Sequence, residues 1–290
     1  MKDAGNKIQL IENKVYDEER ALYHLRDTEV KHCTFTGPQD GESVLKESRN
    51  IKVVDSKFSL RYPMWHNKKF EPLDSTLDEL TRAPLWYDED GLIDHVTITS
   101  VKAIRECHNI VVKNSHINSD EFGWKSHHIK VEDSTIHSEY LFLDSSDITV
   151  KNLEFVGKYS FQYTENLTVE DSFLDTKDAF WHSKNVVVRN CLVKGEYLGW
   201  FSDGLTLINC KIMGTQPLCY CKNLKLINCT MEETDLAFEY SEVEADVKGD
   251  ILSVKNPKSG KIVADSIGKI IKEGSIMEDT CDIIIQNNSQ

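Results

Sequence analysis

At 290 residues, 40% apolar and with mean hydropathy −0.42, the chain has the composition of one large or two ordinary globular domains. A net charge of −14 and a pI of about 5.2 weigh against nucleic acid, whose phosphates need a basic footprint, and against a polyanionic ligand unless cations gather in one groove. The opening MKDAGNKIQLIENKV has no apolar h-region and no run of about 18 apolar residues follows; neither a secretory signal nor a membrane span is expected, and the eight cysteines read as reduced thiols of a cytoplasmic protein.

In chain order, Glu12–Arg26 is polar with a short apolar face and is expected to open the fold, residues 1–26 forming an N-terminal cap region and first coil. Repetition starts next. Phe35, Phe58, Leu77 and Ile98 recur at steps of 23, 19 and 21, the first step absorbing the loop GPQDGE, Gly37 to Glu42. From Ile98 the same column runs Ile117, Ile136, Phe155, Leu174, Val193, Ile212, Met231, every step 19 residues. Two further apolar columns keep that step, Ile110 to Leu224 and Val112 to Leu226. Apolar residues alternate at i and i+2, β-branched residues are dense, and turns carry Asn, Asp, Gly or Ser; each unit is therefore short strands, not helix. Strands stacked coil on coil, ~4.8 Å apart, make a parallel β-helix.

The expected architecture is thus all-β, a parallel β-helix solenoid of about eleven coils over residues 20–241 with a 19-residue period. Regular coils occupy 27–243, and 244–290 forms a C-terminal cap and tail, with Ile283–Gln290 an extra strand or a loose end. Polar ladders agree with stacking. Asn114, Asp133, Asn152, Asp171, Asn190, Asn209 and Asn228 form one, at turns where Asn and Asp tolerate left-handed backbone and bond between coils.

Function is sought where a column varies instead of repeating. All five tryptophans, Trp65, Trp86, Trp124, Trp181 and Trp200, share a column with Lys46, Arg105, Leu143, Gln162, Cys219 and Phe238. The next column holds Glu47, His66, Tyr87, Glu106, Lys125, Asp144, Tyr163, His182, Phe201, Tyr220 and Glu239. Strand alternation sends only one of the two outward, and either choice buries charges; a bulge would expose both. Rows of aromatic rings with polar edges suit sugar rings. The expected ligand-binding residues are Lys46, Glu47, Trp65, His66, Trp86, Trp124, Tyr163, Trp181, His182, Trp200 and Tyr220.

For catalysis, Glu106 and Asp144 stand two coils apart, ~9.6 Å, near the separation in inverting glycosidases, with Lys125 between them. Arg105 or Lys125 is the candidate for proton abstraction in a lyase, and His182 for a general base. Cys191, Cys210 and Cys229 share a column with Ser115, Ser134 and Ser172 and read as small core residues, so neither metal nor cofactor is expected.

The coils RYPMWHN, TRAPLWYDED, RECHN, KYSFQYTEN, KDAFWHSKN, EYLGWFSD, GTQPLCYCKN and DLAFEYSEVEA resemble a bacterial family of unknown function classed as pectin-lyase-like right-handed β-helices. The resemblance spans Glu18 to about Ile271 and implies a right-handed parallel β-helix; it carries no established activity. The functional expectation is a protein that binds, and as a glycoside hydrolase or polysaccharide-lyase-like enzyme would process, an oligosaccharide. The alternative is a non-catalytic interaction scaffold, with a homo-oligomer among its partners.

Overall fold

The computed structural model describes residues 8–38 and 41–286; the opening MKDAGNK, part of the loop GPQDGE and the final NNSQ lie outside the described residues. The chain divides into two compact units, residues 1–138 and 139–290. In each, the 19-residue step is a parallel pairing in register. Ile110 pairs with Ile129 and Val112 with Val131 in the first unit. Leu167 pairs with Val186 and Val186 with Leu205 in the second. The looser early steps also hold, as Phe35 pairs with Phe58, Phe58 with Leu77 and Leu77 with Ile98. These columns fill the interior of each unit because period-2 alternation on short strands sends every second side chain inward. Tyr16, Phe35 and Phe58 stack at 5.3 and 4.7 Å.

The amide ladders are structural. Asn190, Asn209 and Asn228 adopt left-handed backbone, φ +53°, +53° and +52°. Asn209 donates to Asn190 at 3.2 Å and Asn228 to Asn209 at 2.9 Å. Indoors, the cysteine column behaves as small polar packing. The Cys210 thiol donates to the carbonyls of Ile208 (3.3 Å) and Val188 (3.4 Å), and all eight cysteines are free and buried.

The fold is all-β, a parallel β-solenoid of about 14 turns with a period near 19 residues, slightly more turns than the repeat alone suggests. Both ends account for the difference. Gln9–Glu12 pairs with Thr28–Lys31, a coil that lies ahead of those counted from residue 20. After Val243 the strands Glu242–Lys255 and Ser259–Ile271 pair in parallel, and Asp282–Ile285 adds to the latter. There Glu242 meets Ser259 and Lys261 meets Asp282, steps of 17 and 21, which hide the coils from a fixed-period search. Among the described residues no helix is long and apolar enough to cross a membrane.

One interior row was not foreseen. In the first unit Ser48, Asn67, Asp88, Cys107 and Ser126 stack so that each backbone amide donates to the next side chain, Ser48 to Asn67 at 2.8 Å and Asn67 to Asp88 at 2.7 Å. Asp88 is wholly buried, and its second carboxyl oxygen has no partner among the described residues. Burial pushes its pKa well above the carboxylate range, offset only in part by the Asn67 amide and the Arg49 charge. Because the folded pKa is the higher one, this group's contribution is fully present below the unfolded value of about 4 and is lost as pH rises toward the folded pKa. Asp88→Asn, isosteric with the neutral acid, should therefore stabilise the protein by about 1–3 kcal/mol at pH 7, the gain shrinking toward pH 4. Paired thermal melts across that range check it; a gap independent of pH would contradict it.

Candidate functional site

In the second unit the two variable columns lie in a turn, whereas in the first Leu85–Trp86 and Ile104–Arg105 are two-residue strands paired in parallel. In one coil Phe180 is buried, Trp181 half-buried, His182 exposed and Ser183 buried, a sequence that period-2 alternation cannot produce. The cause is left-handed backbone at alternate residues. Phe180 and His182 have φ +61° and +53°, Phe161 and Tyr163 +59° and +56°, Leu218 and Tyr220 +62° and +60°. None of these positions carries a β-branched residue, which would resist that backbone. Curling of the chain lets two successive side chains face outward at different depths, so both columns reach the surface.

The inner column is tryptophan, and its surfaces are used up. In the first unit Lys46 sits 5.6 Å from the Trp65 ring, Trp65 and Trp86 stack at 4.9 Å, and the Arg105 guanidinium lies 5.0 Å from Trp86 and 5.7 Å from Trp124. In the second, Trp181 and Trp200 stack at 5.3 Å with planes 2° apart. Indole N–H groups donate to backbone carbonyls of the next coil, Trp65 to Ala83, Trp86 to Lys102, Trp181 to Tyr197 and Trp200 to Gln216, at 2.6–3.0 Å. Gln162 makes the equivalent bond to Asp178 at 2.9 Å.

The outer column differs between units. In the first it runs Glu47, His66, Tyr87, Glu106, Lys125; His66 stacks on Tyr87 at 4.8 Å, and Arg105 pairs with Glu106 at 3.4 Å. The Tyr23 hydroxyl donates to Glu47 at 2.8 Å and holds that carboxyl below its usual pKa. Glu106, Arg105 and Lys125 thus stand together on the first unit, and Asp144 stands on the second. In the second unit the outer column is a continuous aromatic stack. Tyr163 and His182 lie 5.0 Å apart, His182 and Phe201 5.0 Å, Phe201 and Tyr220 4.8 Å, with planes within 14°.

This stack forms one wall of a groove of about 650 Å³. Asp144 continues the wall at one end, and Thr164 lies beneath. The opposite wall is Glu165, Lys184, Asp203 and Lys222, paired rung to rung so that charge alternates along the row. Asp203 accepts from Asn223 at 2.7 Å. Among the expected site residues the groove gathers Asp144, Tyr163, His182 and Tyr220; it adds Phe201 and the charged row. That row was legible as a 19-residue column two residues beyond His182. A groove of about 620 Å³ on the first unit, beside Glu29, Lys52 and Glu71, contains no expected site residue.

At its far end the column register shifts by one. Tyr220 donates its backbone N–H to Glu239 at 2.7 Å and its ring meets Tyr240. Phe238 is therefore a core residue, Glu239 stands in the tryptophan column paired to Lys255 at 2.8 Å, and Tyr240 continues the outer wall.

Stacked parallel strands around an apolar interior, with a groove along one turn, define a parallel β-helix protein. Residues 9–285 match the family described as "Protein of unknown function (DUF3737)", and the chain belongs to it. No curated protein matches the sequence. Among solved structures the chain is similar to PfbA, a surface adhesin of Streptococcus pneumoniae, at 7% identity and TM-score 0.52 over 90% of this chain and 83% of that one. It is also similar to the catalytic domain of a GH87 alpha-1,3-glucanase in complex with nigerose (10% identity, TM-score 0.45, 96% and 64% covered) and to the A-module of the Azotobacter vinelandii mannuronan C-5 epimerase AlgE4 (9%, 0.39, 94% and 88%). These findings agree with the resemblance to a pectin-lyase-like β-helix family of unknown function; at such identity the likeness is one of fold.

Proposed function

We propose that the protein binds a carbohydrate chain along the groove of its second unit. The observation that carries this reading is one groove with an aromatic stack on one wall and alternating carboxylates and ammonium groups on the other. Hydroxyl-rich rings both donate and accept hydrogen bonds, and such a wall meets both needs at every coil. Aromatic edges supply apolar contact between those bonds. Trp65, Trp86, Trp181 and Trp200 are read as buttresses: with rings stacked and N–H groups bonded, they hold the turn and leave ligand contact to the outer column.

The test is an array of neutral and uronic-acid oligosaccharides, its hits titrated by calorimetry. Phe201→Ala and Lys184→Ala should each weaken binding about tenfold, roughly 1.4 kcal/mol, while Lys52→Ala on the first-unit groove leaves it unchanged. A second reading, a docking surface for another protein, draws on the exposure of Tyr163 and Phe201. It would replace the first if no oligosaccharide bound and Phe201→Ala altered concentration-dependent mass.

A further inference from the structure

The aromatic wall is one ring short at its Asp144 end, and this vacancy in the pattern has a definite chemistry. His182 and Phe201 each lie between two stacked rings, and Tyr220 lies between Phe201 and Tyr240. The faces of His182 and Phe201 are covered, so a ligand beside them meets ring edges. Tyr163 has His182 on one face and no ring on the other, and it is 54% exposed. The uncovered face looks toward the preceding coil, where the Asp144 amide donates to the Gln162 carbonyl at 3.0 Å and the Asp144 side chain is exposed. That carboxyl has no hydrogen-bond or ionic partner among the described residues.

Coils are spaced ~4.8 Å apart, which is also a stacking distance. A ring laid on the open face of Tyr163 therefore lies at the level of the coil that carries Asp144, within reach of its carboxylate. A flat apolar face and a nearby acceptor are what a pyranose presents its two kinds of surface to: C–H bonds to the ring, hydroxyls to the carboxylate. Charge narrows the class further. Asp144 and Glu165 make this end of the groove acidic, whereas Lys184 and Lys222 stand further along it. Among the groove's lining residues, a sugar carboxylate here would face Asp144 and Glu165, with the ammonium groups of Lys184 and Lys222 further along the row.

We propose that Tyr163 and Asp144 form the terminal subsite of the groove and that it takes an uncharged pyranose. The proposal rests on the carbohydrate reading of the groove, and the experiment separates the two.

Wild type, Tyr163→Ala, Tyr163→Phe, Asp144→Asn and Phe201→Ala are titrated with matched cello-, malto- and xylo-oligosaccharides and with oligogalacturonides, circular dichroism confirming that each is folded. The expected pattern is a preference for neutral chains, about tenfold weaker binding in Tyr163→Ala, and a change within about threefold in Tyr163→Phe, which keeps the ring face. Asp144→Asn should lose affinity for neutral chains and reduce the discrimination against oligogalacturonides by at least about threefold, a change that loss of structure alone would not produce. Wild-type affinity in Tyr163→Ala, with affinity lost in Phe201→Ala, would overturn the subsite and leave the groove standing. A wild-type preference for oligogalacturonides would overturn the uncharged assignment. If no oligosaccharide saturates the wild type, the groove reading fails and the subsite with it.

Discussion

Gly195→Ala should fail to yield a stable folded protein. Gly195 has φ +148°, and a Cβ built on it would stand 1.3 Å from the carbonyl oxygen of Thr176, a backbone atom of the neighbouring coil. No rotamer change relieves such an overlap. The coils must separate, breaking the ladder in which Thr176 donates to Lys194 at 2.8 Å and Gly195 to Met213 at 2.9 Å. Gly214, one rung on, repeats the arrangement, its added Cβ falling 2.0 Å from the Gly195 carbonyl oxygen. Strain and lost ladder bonds together place the expected loss above about 4 kcal/mol. Gly249→Ala is the control: φ is +79° there but nothing lies within 4 Å of the new Cβ, so only the backbone penalty of about 1 kcal/mol is expected. Soluble yield and urea denaturation compare them; a Gly195→Ala protein within about 1 kcal/mol of wild type would contradict the close approach of these coils.

Phe161→Ala should cost about 3–5 kcal/mol. The ring is fully buried and sits in the ladder between Phe142 at 6.2 Å and Phe180 at 5.4 Å. Its removal leaves a cavity that two stiff rings cannot close. The residue also adopts φ +59° two positions before Tyr163, so loosening it should disturb the groove wall as well as the core. Phe161→Leu should cost less, about 1–2 kcal/mol, because the volume is largely kept. Urea midpoints at constant slope measure both; equal stability of Phe161→Ala and wild type would mean the ladder is not packed as described.

Much of this fold was legible because a β-helix writes its register into the sequence. Ile110, Ile129 and Val112, Val131 are spaced as they are paired. The outer coils were less legible for a physical reason: Glu242–Lys255 and Ser259–Ile271 pair at a step of 17 that becomes 16 past a register shift after Val247, which fits the stack but not the period. Parity at Trp181 and His182 was not legible, since alternation presumes extended backbone and the chain there is left-handed at every second residue. The clue was present in composition, as Phe180, His182, Phe161, Tyr163, Leu218 and Tyr220 are all unbranched at Cβ. Half of the groove was visible as Tyr163, His182 and Tyr220. Its other wall, Glu165, Lys184, Asp203 and Lys222, looked like ordinary solvated strand residues until the turn folded the aromatic stack against them. Asp88, next to Tyr87, carried no sign of burial beyond its column of Ser, Asn and Cys.

The proposed path of the carbohydrate runs along the groove from Asp144 to Lys222. Hydrogen–deuterium exchange of the whole chain, with and without the tightest oligosaccharide of the array, tests it most directly. Protection should fall on peptides covering 163–165, 182–184, 201–203 and 220–222, and peptides covering 50–52 and 69–71 beside the first-unit groove should be unchanged. Protection confined to the first unit, or none at saturating ligand, would contradict it.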